Sequence, residues 1–392
     1  MRKLTRAINQ PTLLHQIIAG NAADTDLSST DWQALVAEAN GQGVAPLIYW
    51  KLSQAGKLSF LPDFARASLR EAYAATWMAN QKILQELELL ARLFNEAGIP
   101  VVVLKGACFA LTIYPDIGLR PMGDLDILVP KAKLDQAVQI AREQGYVNAV
   151  PDAAPGLNDL IGHHACLRKL ESPTNLLEIH DSLVAEQFFT YAAPMGWFWE
   201  QTQPLEHAKY PNLHMLTPTA QVLFAAAHAM LQHGAQNAPL RWFYDIDQLI
   251  RVYQDKLDWD ALISQARVFE WGSALSAALA QTEKLFDTPI PAPVRATLLE
   301  LSDRHTELVE RKHSRPATHT LIELQKISSM TSYARFRQFM ALLAPGPAYM
   351  RWRYKLKNNW GLPAWYLFRW VGIFKDAIMT LISILKKSAK NL

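Results

Sequence analysis

Two carboxylates separated by one residue, Asp124 and Asp126, lie in an otherwise apolar segment, DLDILV. The alternation of acidic and apolar residues predicts a β-strand, in which side chains two positions apart point to the same face, about 7 Å apart. Two carboxylates on one face repel each other, so a cation is expected between them. Mg²⁺ prefers oxygen ligands and usually also contacts substrate phosphates. The acidic pair is therefore a candidate magnesium site.

A lysine–glycine turn precedes this strand. Residues 101–104 (VVVL) form an apolar run typical of a buried strand, and Gly106 lacks a Cβ, which lets a ligand approach the backbone. Residues 107–114 are predicted to form a helix that ends before Pro115, and the N-terminus of such a helix attracts phosphate. Lys105 could add a positive charge there or could simply be solvated. A GxxxxGK[ST] pattern is absent from the sequence, which argues against a P-loop.

Arg120 lies four residues before Asp124. Its planar guanidinium could bind a phosphate or a carboxylate through two parallel hydrogen bonds, a geometry that lysine does not offer. A structural salt bridge with Asp124 is the alternative role for this arginine.

The order of these motifs, LKG at 104–106, then Arg120, then DLDILV at 124–129, resembles the DNA polymerase β-type nucleotidyltransferase superfamily. Within that superfamily it is similar to a branch of poorly characterised bacterial nucleotidyltransferase family proteins. The resemblance covers roughly residues 96–270. It implies a small mixed sheet, a glycine-bearing turn before a helix, an Asp-x-Asp strand and a third carboxylate on a later strand.

In this chain the later strand would be 175–181 (NLLEIHD), and the resemblance makes Glu178 the third metal-linked carboxylate. The implied reaction is Mg²⁺-dependent transfer of a nucleotidyl group from an NTP to an unidentified acceptor. Asp124, Asp126 and Glu178 would be the catalytic and metal-binding residues. Lys105, Gly106 and Arg120 would bind the nucleotide.

The turn departs from the common pattern of the superfamily. Most well-known members carry Gly-Ser there, whereas this chain has Lys105-Gly106 followed by Ala107, a form that the narrower branch shares. Two alternatives to transfer therefore stay open. One is a catalytically silent relative that binds nucleotide. The other is a membrane-peripheral accessory protein of polysaccharide biosynthesis.

Histidines near the proposed third carboxylate raise a zinc-hydrolase alternative. His163 and His164 precede Glu178 and His180, but HExxH and paired-cysteine spacings are absent from the sequence. Because Glu178 and His180 are two residues apart, they would share one face of a strand. The resemblance places His163 and His164 near the cleft, where His164 could have a supporting role, and His180, on the face of Glu178, is the better supporting candidate.

Asp245-x-Asp247 looks like a second copy of the acidic motif, but its surroundings have helical periodicity. Residues two apart on a helix are rotated by about 200°, so these two cannot share one ion. A surface pair between Arg241 and Asp245 is one interpretation, and the resemblance offers another, in which Asp245 faces the cleft as a supporting residue.

Composition bounds the class of protein. The chain has 392 residues, half of them hydrophobic, so it can bury a sizeable core and is expected to have more than one domain. Two cysteines without CxxC spacing, and an N-terminal apolar stretch too short for a signal peptide, predict a reducing, cytoplasmic setting.

The C-terminal segment 345–392 is strongly basic. It contains nine Lys or Arg, one Asp and four Trp, whereas the net charge of the whole chain is only +3. Its longest charge-free apolar run is about nine residues, and a membrane span needs about 20, so no transmembrane segment is predicted. The segment could pack on the protein with its charges solvated, or contact an anionic membrane surface. Nucleic acid is a less favoured partner.

The predicted fold class is α+β, with a small mixed nucleotidyltransferase-type sheet flanked by helices and with helical N-terminal and C-terminal regions. The expected boundaries are 1–95 for the N-terminal helical region and 96–206 for the nucleotidyltransferase-like core. A helical domain would follow at 207–300, and a basic, Trp-rich helical region at 301–392.

Overall fold

A mixed sheet carries the acidic residues singled out in the sequence. The computed structural model describes residues 12–20, 23, 26–154, 164–169, 176–183, 195–207, 209–210, 212–232, 238–303 and 332–388. Within these residues, helices precede and follow a sheet of seven strands. The expected α+β class is confirmed.

Helices form the N-terminal part. They are α1 (Leu13–Ile18), α2 (Trp32–Gly41), α3 (Ala45–Gln54) and α4 (Asp63–Glu96). The Asp31 side chain caps α2 by accepting a hydrogen bond from the backbone N–H of Ala34, the role that an acidic residue just before a helix commonly takes. The Ala-, Leu- and Glu-rich stretch that follows forms one continuous helix of 34 residues, α4.

The strands are β1 (Val102–Val103), β2 (Asp124–Leu128), β3 (Tyr146–Asn148), β4 (His164–Lys169), β5 (Leu176–His180), β6 (Thr202–Pro204) and β7 (His214–Leu216). Their spatial order is β3-β4-β5-β2-β1-β7-β6. β2 is parallel to β5 and antiparallel to β1, and β1 is parallel to β7. The acidic strand β2 therefore lies in the middle of the sheet, with the strand that carries Glu178 directly beside it.

The alternation along β2 and β5 separates a polar face from an apolar one. Leu125 and Ile127 pair with Leu177 and Ile179 in register, and all four side chains are buried. This apolar alternation fixes the register, because a shift by one residue would place the carboxylates in the core. The other face therefore presents the acidic residues.

Helices also connect and follow the strands. They are α5 (Lys105–Thr112), α6 (Leu134–Glu143), α7 (Met195–Glu200), α8 (Pro218–Ala227), α9 (Leu240–Val252), α10 (Trp259–Val268), α11 (Gly272–Phe286) and α12 (Ala292–Asp303). Thr217 and Asp258 cap α8 and α10 through their side chains, and Pro218 occupies the first turn of α8, as a proline can without loss of a hydrogen bond. One continuous hydrophobic core, from Leu14 to Leu298, joins the N-terminal helices, the sheet and these later helices.

The described residues 332–388 form three helices near the C-terminus: α13 (Ser332–Leu343), α14 (Pro347–Tyr354) and α15 (Leu362–Ser388). α14 packs against α15. Among the helices of the described residues, none is both long enough and apolar enough to cross a lipid bilayer.

Candidate active site

Asp126, Glu178 and His180 converge on one face of the sheet. Asp126 lies directly opposite Glu178 in the parallel pairing of β2 with β5, and His180 follows two residues later on β5. One ligand atom from each of the three lies within 4.8 Å of the others. In-register neighbours and i, i+2 neighbours share a strand face, which explains the convergence. The structure therefore brings Glu178 and His180, which the strand pattern placed on one face, together with Asp126 of the neighbouring strand. Asp124, the other carboxylate expected from the sequence, is not among these three converging residues.

Asp126 is held by two cationic groups. Its Oδ1 accepts a hydrogen bond from the Lys105 Nζ at 3.1 Å and lies 2.8 Å from the His180 Nε2. Burial raises the pKa of the Asp126 carboxyl, but the charge of Lys105 and the hydrogen bond from His180 outweigh burial and hold that pKa well below its ordinary value. Asp126 is therefore ionised at neutral pH.

His180 is the partner that ties Asp126 to Glu178. Burial lowers the pKa of its imidazole, but hydrogen bonds to Asp126 and Glu178 outweigh burial and raise the pKa above its ordinary value. The His180 Nε2 lies 3.5 Å from the Glu178 Oε2. The Glu178 side chain is 21% exposed, against 2% for Asp126 and for His180, so Glu178 is the member of the trio most open to solvent.

The pKa of Asp124, at the start of β2, is shifted in the opposite direction to the pKa of Asp126. Burial, followed by the charge of Asp126, raises the pKa of the Asp124 carboxyl to about 6, and Lys105 offsets only part of this rise. The negative charges of this acidic cluster also affect Cys166 on β4, which pairs with Glu178 in the neighbouring strand. Burial and then the charge of Glu178 raise the pKa of the Cys166 thiol to about 12. A thiol with such a pKa is neutral and is not a nucleophile.

Lys105 begins α5 with a left-handed backbone conformation, φ +38°. Because β1 is antiparallel to β2, the end of β1 meets the start of β2, and the Leu104 N–H donates to the Asp126 carbonyl at 3.1 Å. The Lys105 ammonium also lies 5.6 Å from the centre of the Phe224 ring on α8. A non-glycine residue in this region of φ is uncommon, and strain of this kind concentrates at functional sites.

Arg120 forms a buried ion pair with Asp245 rather than with Asp124. Its Nε and Nη2 donate to the two carboxylate oxygens of Asp245 at 3.1 and 2.9 Å, and the Tyr114 hydroxyl donates to Asp245 at 2.8 Å. Asp245 lies on α9, so this pair joins the loop before β2 to the helices that follow the sheet. The surface pair between Arg241 and Asp245 considered from the sequence is not formed, because Asp245 is buried and turned toward Arg120.

Gly106 has a packing role that the sequence did not suggest. A Cβ at this position would lie 2.7 Å from the Arg120 Nη1 and 3.1 Å from the Met122 Cγ. Glycine is therefore required to let the guanidinium of Arg120 lie against the first turn of α5.

The loop that carries Arg120 is fixed from α4. The buried Asn80 side-chain amide donates to the carbonyls of Ile117 and Arg120, at 2.5 and 2.8 Å. The Tyr73 hydroxyl donates to Asp116 in the same loop. This support could not be predicted from the sequence, where its one signal is a lone asparagine in the interior of a helix rich in alanine, leucine and glutamate.

A second arginine, Arg241, lies on α9 close to this network. A Cβ on Gly43 would lie 2.7 Å from the Arg241 Nη1, so the turn between α2 and α3 also needs glycine beside a guanidinium. Burial and then the charge of Arg120 lower the pKa of Arg241. Within the described part of the chain, the buried Arg241 Nε has no hydrogen-bond partner.

The remaining candidates from the sequence are Asp247, His163 and His164, and within the described residues the acidic cluster includes none of their side chains. Asp247 points away from this network and pairs with Arg251 at 2.8 Å and with the Thr288 hydroxyl at 2.7 Å, so Asp245 and Asp247 do not form one site. His164 pairs with His180 across β4 and β5, and its side chain lies outside the described residues, as does His163 entirely.

The donor set fits a hard divalent cation. Asp126, Glu178 and the adjacent Asp124 offer carboxylate oxygens, which Mg²⁺ and Mn²⁺ prefer, and the imidazole of His180 would tolerate Mn²⁺ as well. Burial first, and then the charges of Asp126 and Glu178, raise the pKa of Asp124, and Lys105 and Arg120 offset this rise only in part. A bound cation would favour the ionised form of Asp124.

Comparison with known proteins gives one family. A family model described as an uncharacterised nucleotidyltransferase matches residues 28–287, which is more than half of the 392-residue chain. The match includes α2 to α11 and therefore the sheet, the acidic residues and Asp245. A search of curated proteins finds no match to the chain.

Proposed function

The chain belongs to the uncharacterised nucleotidyltransferase family, and from this premise we propose that it transfers a nucleotidyl group from an NTP to an acceptor in a Mg²⁺-dependent reaction. The observation that supports the proposal best is the convergence of Asp126, Glu178 and His180 within 4.8 Å, beside Asp124 and the Lys105 turn.

In the proposed reaction, an acceptor oxygen forms a bond to the α-phosphorus of the NTP. The bond from that phosphorus to the bridging oxygen breaks, and pyrophosphate leaves. Asp124, Asp126 and Glu178 would hold the divalent cation. When bound, the cation would neutralise charge on the phosphate oxygens and favour ionisation of the acceptor oxygen.

The other residues of the site would bind and orient. Lys105, now paired with Asp126, is placed to contact phosphate oxygens once a cation neutralises that carboxylate. Glu178 is the most exposed of the converging groups, so it is the carboxylate best placed to face the acceptor. Arg120 would act through position, because Asp245 occupies its guanidinium.

His180 would act as a positioning residue in the metal-free state. Its imidazole holds Asp126 and Glu178 together in the geometry that a cation requires, which limits the reorganisation needed on binding. Preorganised ligands of this kind raise metal affinity and rate.

The alternative is a relative that binds nucleotide without turnover. The turn motivates it, since Lys105-Gly106 stands where most members of the wider superfamily have Gly-Ser. This alternative predicts Mg²⁺-dependent nucleotide binding and no release of pyrophosphate. A further possibility, an accessory role in polysaccharide assembly at a membrane, would draw on the basic C-terminal segment.

The decisive experiment uses NTPs labelled at either the α- or the γ-phosphorus, incubated with Mg²⁺, the protein and fractionated cell extract. We expect the α-label, and not the γ-label, to appear in one acceptor fraction, with equimolar pyrophosphate. Asp126→Asn should abolish the transfer, while Asp135→Asn, on the exposed surface of α6, should leave it unchanged. Transfer of the γ-label, or transfer that survives Asp126→Asn, would refute the proposal.

A further inference from the structure

The C-terminal helix α15 has two opposite faces. The inner face packs on the protein: Leu362 is buried, the Trp365 ring stacks on Tyr354 at 4.7 Å, and the Arg369 Nε donates to the Leu342 carbonyl at 2.9 Å. The Tyr366 hydroxyl donates to the Pro345 carbonyl on the same side. These positions recur every three or four residues, the period of one helical face.

The outer face is apolar and exposed. Leu367, Val371, Phe374 and Ile378 again follow helical spacing, and their exposed fractions are 60%, 68%, 71% and 46%. The stripe spans twelve residues, about 16 Å of helix. A surface groove of about 510 Å³ runs along it, and its lining is apolar apart from Lys375. Exposed contiguous apolar surface of this kind marks an interaction site.

The segment that contains the stripe is basic. Residues 345–392 carry nine Lys or Arg and one Asp, a net charge of +8. Lys375 and Trp370 line the groove itself, and Trp352 and Trp360, which precede the helix, are also exposed, at 40% and 93%. An amphipathic helix with an exposed apolar face, in a basic segment that also exposes tryptophans, is the arrangement that lies in the interface of an anionic bilayer.

Two other occupants fit this surface less well. A second copy of the chain would bring two segments of +8 into contact, and like charges repel. Nucleic acid would match the charge, but phosphate contacts need basic side chains at the centre of the surface, and that centre is apolar here. An anionic lipid surface satisfies both the apolar stripe and the positive charge.

We infer that α15 docks this chain onto anionic membranes by inserting the stripe Leu367, Val371, Phe374 and Ile378 into the headgroup region. The exposed basic residues of the described segment, Arg353, Lys355, Lys357 and Lys375, would contact lipid phosphates. The family match ends at residue 287, so α15 lies outside the matched segment and contains none of the proposed catalytic residues. Docking would hold the active site near acceptors carried on the membrane.

The test is sedimentation of the full-length protein with vesicles of phosphatidylcholine alone or of equal parts phosphatidylcholine and phosphatidylglycerol. We expect binding to the anionic vesicles, weak binding to the neutral ones, and loss of binding as salt rises from about 0.05 to 0.5 M, where the Debye length shortens.

The stripe is tested by the double substitution Val371→Asp and Phe374→Asp. Both positions are exposed, so the fold should tolerate the change, and we expect at least about tenfold weaker binding to anionic vesicles. The matched control is Val268→Asp on α10, where the valine is 67% exposed, against 68% for Val371. Unchanged unfolding temperatures would show that all variants remain folded.

Four outcomes would overturn the inference. The first is no binding to anionic vesicles, and the second is binding that the stripe variant retains. The third is that the wild type does not bind vesicles and instead forms a dimer or binds RNA, and that the stripe variant abolishes this dimer or this RNA binding. A loss of binding shared equally by Val268→Asp would also contradict a role specific to α15.

Discussion

The ionised carboxylate of Asp124 should destabilise the metal-free protein. Its replacement by asparagine should therefore raise the free energy of unfolding while removing the proposed transferase activity. The pKa of Asp124 is raised from 3.8 to about 6 by burial and by Asp126. A folded-state pKa above the unfolded one means that the native state prefers the protonated acid. The associated stability is present below about pH 4 and is lost as pH rises through about 6.

The magnitude follows from the two pKa values. The difference between about 6 and 3.8 corresponds to about 3 kcal/mol above pH 6, and partial solvent screening of this half-buried carboxyl reduces it to about 2 kcal/mol. Asp124→Asn keeps the shape and removes the charge. We therefore expect the free energy of unfolding at pH 8 to increase by about 2 kcal/mol, and the increase to shrink at pH 5, where the wild-type acid is largely protonated.

Urea titrations at pH 8 and pH 5, without and with Mg²⁺, provide the assay. The matched comparison is Asp126→Asn on the same strand. The pKa of Asp126 is lowered, so its charge stabilises the folded state above the unfolded pKa, and the substitution removes the carboxylate that pairs with Lys105 and His180. That variant should lose about 3–5 kcal/mol. Mg²⁺ should stabilise the wild type and neither variant.

Opposite signs for the two substitutions are the distinctive result. If Asp124→Asn lowers stability at pH 8 as much as Asp126→Asn does, burial and the charge of Asp126 do not raise the pKa of Asp124 in the folded protein. If Mg²⁺ stabilises both variants as strongly as the wild type, these carboxylates do not hold the cation.

Two further predictions concern the Arg120 network. Gly106→Ala should displace the Arg120 guanidinium, which Asp245 prevents from moving freely, and should lower stability by about 1–3 kcal/mol in thermal or urea unfolding. Gly123→Ala, where an added Cβ meets nothing within 4 Å, is the control, and equal effects at both glycines would contradict the packing argument. Asp245→Asn should leave a buried guanidinium poorly paired, cost about 3–5 kcal/mol in urea unfolding, and lower transferase activity; a neutral effect would show that this buried pair does not support the site.

The sequence was sufficient for the local features of the fold. The alternation in DLDILV predicted the strand Asp124–Leu128 and placed both carboxylates on one face, because strand geometry has a fixed period of two. Helix caps at Asp31 and Thr217 were equally readable, since a capping side chain acts within three residues of its own position.

The partners that act over long sequence distances could not be predicted. Arg120 and Asp245 are 125 residues apart, and nothing in the local pattern of either residue identifies the other. Asn80 contacts the Arg120 loop from 40 residues upstream, and its local sequence does not identify that loop as its partner. The position of Glu178 beside Asp126, set by the pairing of β2 with β5, was implied by the family resemblance and not by the local pattern of either strand.

The Lys105-Gly106 turn shows a different limit of prediction from sequence. Sequence reasoning assigned Gly106 the freedom to let a ligand approach, whereas the residue with the left-handed φ is Lys105, and Gly106 makes room for Arg120. Absence of a side chain allows several roles, and only the three-dimensional neighbours of a glycine distinguish them.

Calorimetric titration of the protein with an NTP analogue that carries a methylene group between the α- and β-phosphorus tests the central claim most directly. We expect binding that requires Mg²⁺ and that Glu178→Gln abolishes while the variant stays folded. Absence of binding by the wild type, or equal affinity with and without Mg²⁺, would contradict a nucleotide site built on Asp124, Asp126 and Glu178.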